Sequence, residues 1–189
     1  MKAAVGLLVS VLLLFAASPT WAEPTASESR TDITLGSGLH KVSVSGHDVT
    51  LRSFDLNARY ARRSGHGATL RAFFTAESYG FGALDVGYLY RVRLLGSETT
   101  RLVLDLMAGP SVADANGCDD YDDPLDEPCA GPNLHGAQLG GFVSPSLSVH
   151  LGHFRVGTAL TYRRLRQVRY ETRNTSFRGL TVGLGFVFY

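Results

Sequence analysis

The sequence has little of what several protein classes require. Its 189 residues include two cysteines and one tryptophan, and after residues 1–22 the only lysine is Lys41. Beyond the N-terminal apolar run, no stretch approaches the ~18 consecutive apolar residues of a transmembrane helix. Helical periodicity is also hard to find, and 21 glycines argue against an all-α fold. The formal net charge of +1 gives no sign of the basic surface of a nucleic-acid-binding protein.

The N-terminus has the pattern of an export signal. Lys2 precedes an almost unbroken apolar run over residues 3–17, and the small residues Thr20 and Ala22 follow. This pattern predicts a secretory signal peptide over residues 1–22, cleaved after Ala22. A membrane anchor is the alternative, but the run is too short to span a bilayer comfortably. Residues 23–31 then predict a flexible lead-in, and residues 32–189 a single domain.

Period-two alternation of apolar and polar residues dominates the rest of the chain. Side chains alternate between the faces of a strand, so this pattern indicates β-strands with one apolar face. Eight such segments occur, at roughly 32–44, 49–62, 68–77, 84–94, 101–108, 138–151, 154–163 and 180–189. A change of phase is expected near Gly36–Gly38 in the first segment, and Pro145 favours an irregular stretch in the sixth.

The number and length of the segments predict an all-β fold, an eight-stranded antiparallel up-and-down transmembrane β-barrel. The two long connections, residues 113–135 and the arginine-rich 164–178, are the fifth and the seventh. With both termini in the periplasm, both connections are extracellular. Tyr60, Tyr90, Phe154 and Phe188 then fall near the periplasmic strand ends, where an aromatic girdle is expected. A soluble lipocalin-like carrier is the alternative, because apolar and polar residues also alternate along its strands. In that fold the apolar face lines the interior and the charged face meets water.

The closing segment supports the membrane interpretation. Leu180, Val182, Leu184, Phe186 and Phe188 share one face, and Tyr189 follows out of phase. With the alternation and the loop pattern, this ending resembles the small OmpA/OmpX-like outer-membrane β-barrel family. The resemblance implies a monomer in the outer membrane of a Gram-negative bacterium. It also implies contact with outer-membrane lipids and recognition of the last strand by the barrel assembly machinery.

The face opposite the apolar one carries charges of both signs. In a small barrel these side chains fill the lumen, and they must pair because an unpaired buried charge is very costly. The candidates for lumen ion pairs are Arg71, Glu77, Asp85, Arg91, Arg101 and Asp105. A lumen filled in this way is not expected to act as a general diffusion pore.

The two long connections contain the remaining candidate sites. Cys118 and Cys129 are close in an exported chain, which predicts a disulfide closing a short loop. The six carboxylates between them could hold calcium, although the spacing is not that of an EF-hand. The candidates for contacts with lipopolysaccharide phosphates, or for pairing with the acidic loop, are Arg164, Arg166, Arg169 and Arg173.

These observations predict a structural or cell-surface interaction role through the extracellular loops. We expect no catalytic residues, no cofactor, no bound metal and no nucleic-acid partner. The alternative is a lipid A-modifying enzyme of the deacylase or acyltransferase type. Ser148 and His150 share the inward face and could form a hydroxyl–imidazole pair, but at the periplasmic end of the sixth segment.

Overall fold

The protein folds into a closed antiparallel β-barrel. The computed structural model describes residues 29–44, 47–75, 80–96, 99–116, 135–168 and 174–189. The strands are β1 Arg30–Val44, β2 His47–Ala61, β3 His66–Thr75, β4 Gly80–Gly96, β5 Thr100–Asn116, β6 His135–Leu151, β7 Phe154–Gln167 and β8 Asn174–Phe188. Each strand pairs with the next, and β8 pairs with β1. The predicted eight-stranded up-and-down barrel is therefore confirmed. Within the described ranges, no helix is long and apolar enough to cross a membrane.

The two ends of the barrel differ in their connections. The start of β1, the end of β8 and the tight turns at 62–65 and 152–153 lie at one end, called here the turn end. The other end, called the loop end, has the connections β1–β2, β3–β4, β5–β6 and β7–β8. The β5–β6 connection is the longest because β5 ends at Asn116 and β6 begins at His135.

The outer wall is an apolar band. The large apolar side chains exposed on it include Leu35, Leu39, Phe54, Phe74, Val86, Val112, Leu139, Val143, Leu147, Leu160, Val182 and Leu184. Tyr60, Tyr90, Phe154 and Phe188 also point outward, near the turn end, and are 36–58% exposed. A continuous apolar belt with aromatic residues near one rim is typical of a lipid-facing barrel wall. The lipocalin-like alternative requires the opposite arrangement.

The lumen is filled by side chains of two kinds. Buried charged and polar residues occupy its middle and its turn end, beside a small apolar cluster of Ala61, Leu89, Met107 and Phe142, and a larger apolar cluster closes the described part of the loop end. The main members of this loop-end apolar cluster are Val42, Leu51, Phe73, Phe81, Leu165 and Phe177. The ring centroids of Phe81 and Phe177 are 4.3 Å apart, and Phe73 packs edge-on against Phe81.

Several strands extend beyond the limits predicted from the sequence. The predicted connections 113–135 and 164–178 are too long, because β5 continues to Asn116, β7 continues to Gln167 and β8 begins at Asn174. Inward residues such as Leu165 and Phe177 remain apolar there, while the outward residues become polar. The apolar-outward pattern therefore ends before the strands do. β1 likewise begins at Arg30, inside the predicted lead-in.

Of the two irregularities expected from the sequence, the one at Pro145 is confirmed and the one in β1 is not. The phase change near Gly36–Gly38 is wrong, because the register of β1 runs unbroken against both neighbours. At Pro145 the β6–β7 pairing is interrupted but resumes in the same register after Ser144 and Pro145. A register shift that the sequence did not predict occurs in the β4–β5 pair, between Arg93 and Leu95.

The last residue, Tyr189, lies beyond the end of β8 and packs against the turn end. Its hydroxyl donates a hydrogen bond to the carbonyl oxygen of Gly152, 2.9 Å away. Its ring packs edge-on against His153, and the guanidinium of Arg30 lies 4.7 Å from the ring centroid. Tyr189 therefore connects the β6–β7 turn to the start of β1, which explains why it is out of phase with the outward face.

The inward face of β8 is small because long side chains from the opposite wall reach it. Arg71 on β3 crosses the lumen to contact the hydroxyls of Thr161 on β7 and Thr181 on β8. Gly183 and Gly185 follow Thr181 on that inward face. An added Cβ at Gly185 would lie 2.2 Å from the carbonyl oxygen of Ile33, whereas at Gly183 the nearest atom would be 3.3 Å away.

This difference predicts unequal effects for Gly183 and Gly185, which lie on the same face of β8. We expect Gly185→Ala to lower the free energy of unfolding by about 1–3 kcal/mol, because the backbone of β1 must move to admit the methyl group. Gly183→Ala, on the same face of the same strand, is the matched control and should remain near the parent value. Urea titration in detergent micelles, followed by the heat-modifiable gel mobility, measures both. Equal losses in the two variants would contradict the steric explanation.

Candidate functional site: the charged lumen and the outward basic patch

The charged side chains of the lumen form two clusters. The turn-side cluster consists of Asp32, Asp105, Arg59, Arg91 and Arg155. The loop-side cluster lies nearer the loop end and consists of Asp55, Arg71, Asp85 and Arg163. Because side chains alternate between the faces of a strand, all of these residues point into the lumen. All are buried there except Arg91, whose side chain is 11% exposed.

In the turn-side cluster, two carboxylates are shared among three guanidiniums. Arg91 lies 2.7 Å from Asp105 through Nε and 2.5 Å from Asp32 through Nη2. Arg155 lies 2.8 Å from Asp32 and 2.7 Å from Asp105, so it bridges the same two acids. Arg59 is farther away, with Nη1 at 3.5 Å from Asp32 and 3.7 Å from Asp105. The cluster thus has two well-paired arginines and one weakly paired arginine.

The loop-side cluster consists of two separate pairs. Arg71 donates from Nε to Asp55 at 2.6 Å, and Asp55 also accepts a hydrogen bond from the hydroxyl of Thr181 at 2.9 Å. Arg163 donates from Nη2 to Asp85 at 2.6 Å, and its guanidinium lies over the ring of Phe73 at 4.7 Å. These charge-assisted bonds link β2, β3, β4, β7 and β8 across the lumen.

Four of the six predicted lumen candidates belong to these clusters, namely Arg71, Asp85, Arg91 and Asp105. Arg101 lies on β5 near the turn end and is partly buried. Glu77 lies outside the described residues. Arg71, Asp85, Arg91 and Asp105 each have a direct ionic partner, as predicted.

Two of the carboxylates were absent from the predicted set. Asp32 and Asp55 are both at most 3% exposed and accept contacts from the buried arginines. The alternation contained the signal for both. Asp32 immediately precedes the outward Ile33, and Asp55 lies between the outward Phe54 and Leu56.

Ser148 and His150 do form a contact, but inside the lumen. The Ser148 hydroxyl is 3.3 Å from Nε2 of His150, and both side chains are 2% exposed. Nδ1 of His150 has no hydrogen-bond partner among the described residues. A hydroxyl–imidazole catalytic pair needs a third group that orients the imidazole. This pair has no such group in the described part of the chain, and the absence of enzymatic activity stays a prediction.

A second charged feature lies outside the barrel, at the loop end. Its exposed cations occupy four adjacent strands, and this outward basic patch consists of Lys41 on β1, Arg52 on β2, Arg164 and Arg166 on β7, and Arg178 on β8. Lys41 and Arg178 are direct partners in the β1–β8 register, and Arg178 lies 5.7 Å from the ring centroid of Tyr162. Arg164 and Arg166, two of the residues predicted to contact lipid, therefore point outward from β7. The prediction that they lie in a loop is wrong.

The acidic residue Asp48 lies within the patch and pairs with one of its cations. Asp48 lies 2.5 Å from Lys41, and both side chains are about half exposed, at 48% and 57%. Hydrogen bonds from Lys41 and Ser43 hold the pKa of Asp48 below its usual value, so it is ionised at neutral pH. This pair lies beyond the apolar band, where water is available to both groups.

A shallow groove lies on the outer wall, next to the patch and on its turn-end side. Its volume is about 550 Å³. Its apolar lining consists of Leu39, Val143, Pro145, Leu160 and Leu180. Lys41, Arg178 and Tyr162 line it as well. The groove therefore combines an apolar surface with cations on its loop-end side.

The other predicted sites fall outside the described residues. These are Arg169, Arg173, the Cys118–Cys129 disulfide, and the acidic loop considered for calcium. In the ranges that the structure describes, no three His, Cys, Asp or Glu side chains are grouped as metal ligands would be.

Comparison with known proteins finds likeness only at the level of structure. No family model and no curated protein sequence matches the chain. The crystal structure of Ail, the attachment invasion locus protein of Yersinia pestis, in complex with the heparin analogue sucrose octasulfate, is 17% identical, covers 85% of this chain and 99% of its own, and has a TM-score of 0.50. Neisserial surface protein A is 11% identical, covers 82% of this chain and 96% of its own, and has a TM-score of 0.51.

The architecture is thus that of the eight-stranded outer-membrane β-barrels. The resemblance to the small OmpA/OmpX-like barrels, predicted from the sequence, is confirmed for the fold. At these identities the likeness extends to the fold alone and gives no ligand or partner.

The turn-side cluster predicts a large effect for the loss of one carboxylate. Asp105→Asn leaves three guanidiniums facing Asp32 alone. We expect it to lower the free energy of unfolding by about 3–5 kcal/mol, since a buried charge then loses its partner. Asp48→Asn is the matched control, because it removes the same charge from an exposed pair that solvent screens, and should have little effect. Urea titration of both variants measures the difference. Equal stabilities of the two variants would show that the buried network does not hold the barrel together.

Proposed function

We propose that this protein is an outer-membrane barrel that binds the phosphates of lipopolysaccharide through its outward basic patch and acts structurally or interactively at the cell surface. The observation that supports this most directly is the position of the patch. Its cations lie on four adjacent strands, just above the apolar band and at the loop end. With the termini in the periplasm, the loop end faces outward, so the patch is level with the outer-leaflet headgroups.

The chemistry of the patch suits anionic lipid headgroups. Arginine offers a planar fork of donors that matches phosphate oxygens, and basic residues near a membrane surface attract anionic lipids. The groove beneath Lys41 and Arg178 gives an acyl chain an apolar surface next to those cations. One lipid molecule can therefore meet both features at once.

The filled lumen favours a role for the outer surface over transport. The long side chains of Arg71, Arg155 and Arg163 are at most 2% exposed, and they cross the lumen to their partners. General diffusion through such a lumen is not expected. The disulfide-closed acidic loop and the residues around Arg169 and Arg173 are the proposed sites of further surface interactions. Signal-peptide cleavage near Ala22 and recognition of β8 by the assembly machinery complete the proposal.

Two paired variants test the lipid contact. We expect wild-type protein to melt at a higher temperature in bilayers containing lipopolysaccharide than in phosphatidylcholine alone. Arg164→Gln/Arg178→Gln should lose most of this difference, because two phosphate donors are removed. Heat-modifiable gel mobility measures the melting temperature at low ionic strength, where exposed charges are least screened.

The control removes two exposed arginines at the opposite end. Arg62→Gln/Arg63→Gln changes the net charge by the same amount in the β2–β3 turn, so its lipopolysaccharide effect should equal that of the wild type. A third bilayer, with lipid A lacking its phosphates, should stabilise the wild type no more than phosphatidylcholine. The proposal is wrong if the two double variants respond alike to lipopolysaccharide.

A further inference from the structure

We infer that the lumen contains a binding site for a small monatomic anion, of the size of chloride, beside Arg59. The inference begins with the charges of the turn-side cluster, where three arginines share two aspartates. Arginine remains protonated inside proteins, so the cluster has one positive charge in excess. An uncompensated charge buried to this extent costs several kcal/mol.

The excess charge lies mainly on Arg59. Arg91 and Arg155 each reach both carboxylates at 2.5–2.8 Å. The contacts of Arg59 with the same acids are 3.5 and 3.7 Å, too long for strong charge-assisted hydrogen bonds. Its side chain is 5% exposed, and neither Nε nor Nη1 has a hydrogen-bond acceptor in the described structure. Buried donors without acceptors are rare in native proteins, which points to a ligand at this position.

A cavity lies where such a ligand is needed. It lies between the two clusters, is lined by Arg59, Arg71 and Arg155, and has a volume of about 30 Å³. One carboxylate, Asp55, also lines it, but Arg71 pairs with this acid at 2.5 Å. The hydroxyl of Ser146 and the side-chain amide of Asn57, which also line the cavity, add neutral hydrogen-bond donors.

The size and charge of the cavity select the class of ligand. One water molecule needs roughly 10–15 Å³ measured in this way, so the cavity of about 30 Å³ has room for two or three water-sized particles. Water could accept the free hydrogen bonds but would leave the positive charge uncompensated. Phosphate and sulfate need room for four oxygens around a central atom, which is more than this volume holds. A halide ion meets both requirements, and chloride is the common one.

The first experiment locates the anion directly. Wild-type protein is unfolded and refolded in sodium bromide, so that the lumen is open to the ion as the barrel closes, and is then crystallised from the same salt. An anomalous difference map collected at the bromine edge should show a peak in contact with Nε or Nη1 of Arg59. A map with no peak in this cavity would overturn the inference.

The second experiment measures the effect in solution. The melting temperatures of the wild type, Arg59→Gln and Arg63→Gln are compared in sodium chloride and in sodium gluconate at equal ionic strength. A ligand that binds only the folded state raises the melting temperature. We therefore expect a chloride-dependent rise in the wild type and in Arg63→Gln, whose changed side chain is exposed in the β2–β3 turn.

Arg59→Gln separates the site from general salt effects. It leaves two arginines with two aspartates, so the cluster is balanced and the chloride dependence should disappear. If this variant does not fold, Arg59→Lys retains the charge and should retain the dependence. The same response to chloride in wild type and Arg59→Gln, or no response in wild type, contradicts the inference.

Discussion

The cost of burying charge in a narrow lumen is the constraint on which this barrel depends. The lumen of an eight-stranded barrel is filled with side chains, so an arginine that points into it has no contact with bulk water. Its guanidinium must therefore extend through the lumen to a carboxylate or hydroxyl on another strand. Arg91 on β4 reaches Asp32 on β1, and Arg71 on β3 reaches the hydroxyls of β7 and β8. These crossings need space, which the small inward face of β8 supplies. The glycine-rich closing strand and the arginine-rich strands opposite it are therefore two parts of one packing arrangement.

The same constraint makes the barrel rigid across its width. Each pairing between distant strands joins opposite walls, so the network acts in addition to the hydrogen-bonded ladders between neighbours. Near the loop end the filling changes from ion pairs to the packed rings of Phe73, Phe81 and Phe177. The charged part of the lumen and the apolar part near the loop end both exclude bulk water, but by different means. The charged part requires each buried charge to have a partner, whereas the apolar part requires only side chains that fill the space.

The limits of sequence-based prediction follow from where the bilayer contact ends. Inside the apolar band, outward and inward residues differ in polarity, and the alternation alone predicted all eight strands. Above the band the outward residues meet headgroups and water, so Arg164 and Arg166 suggested a loop although β7 continues through them. Phe177 was assigned to a connection for the same reason. Ion partners were harder still, because alternation gives the face of Asp32 and Asp55 but not which arginine crosses the lumen to reach each of them.

The two charged features of this protein are separated by the barrel wall, and the separation decides what each can do. Inside, most of the described arginines are paired with acids, and a ligand for the weakly paired Arg59 must be small enough to enter the gap beside it. Outside, the basic patch lies on the exposed wall, where Lys41 pairs with Asp48 and Arg164, Arg166 and Arg178 are solvent-accessible. Anions too large for the lumen can approach this surface. In the function proposed above, recognition of large molecules belongs to the outer surface, while the lumen supports the fold that displays it.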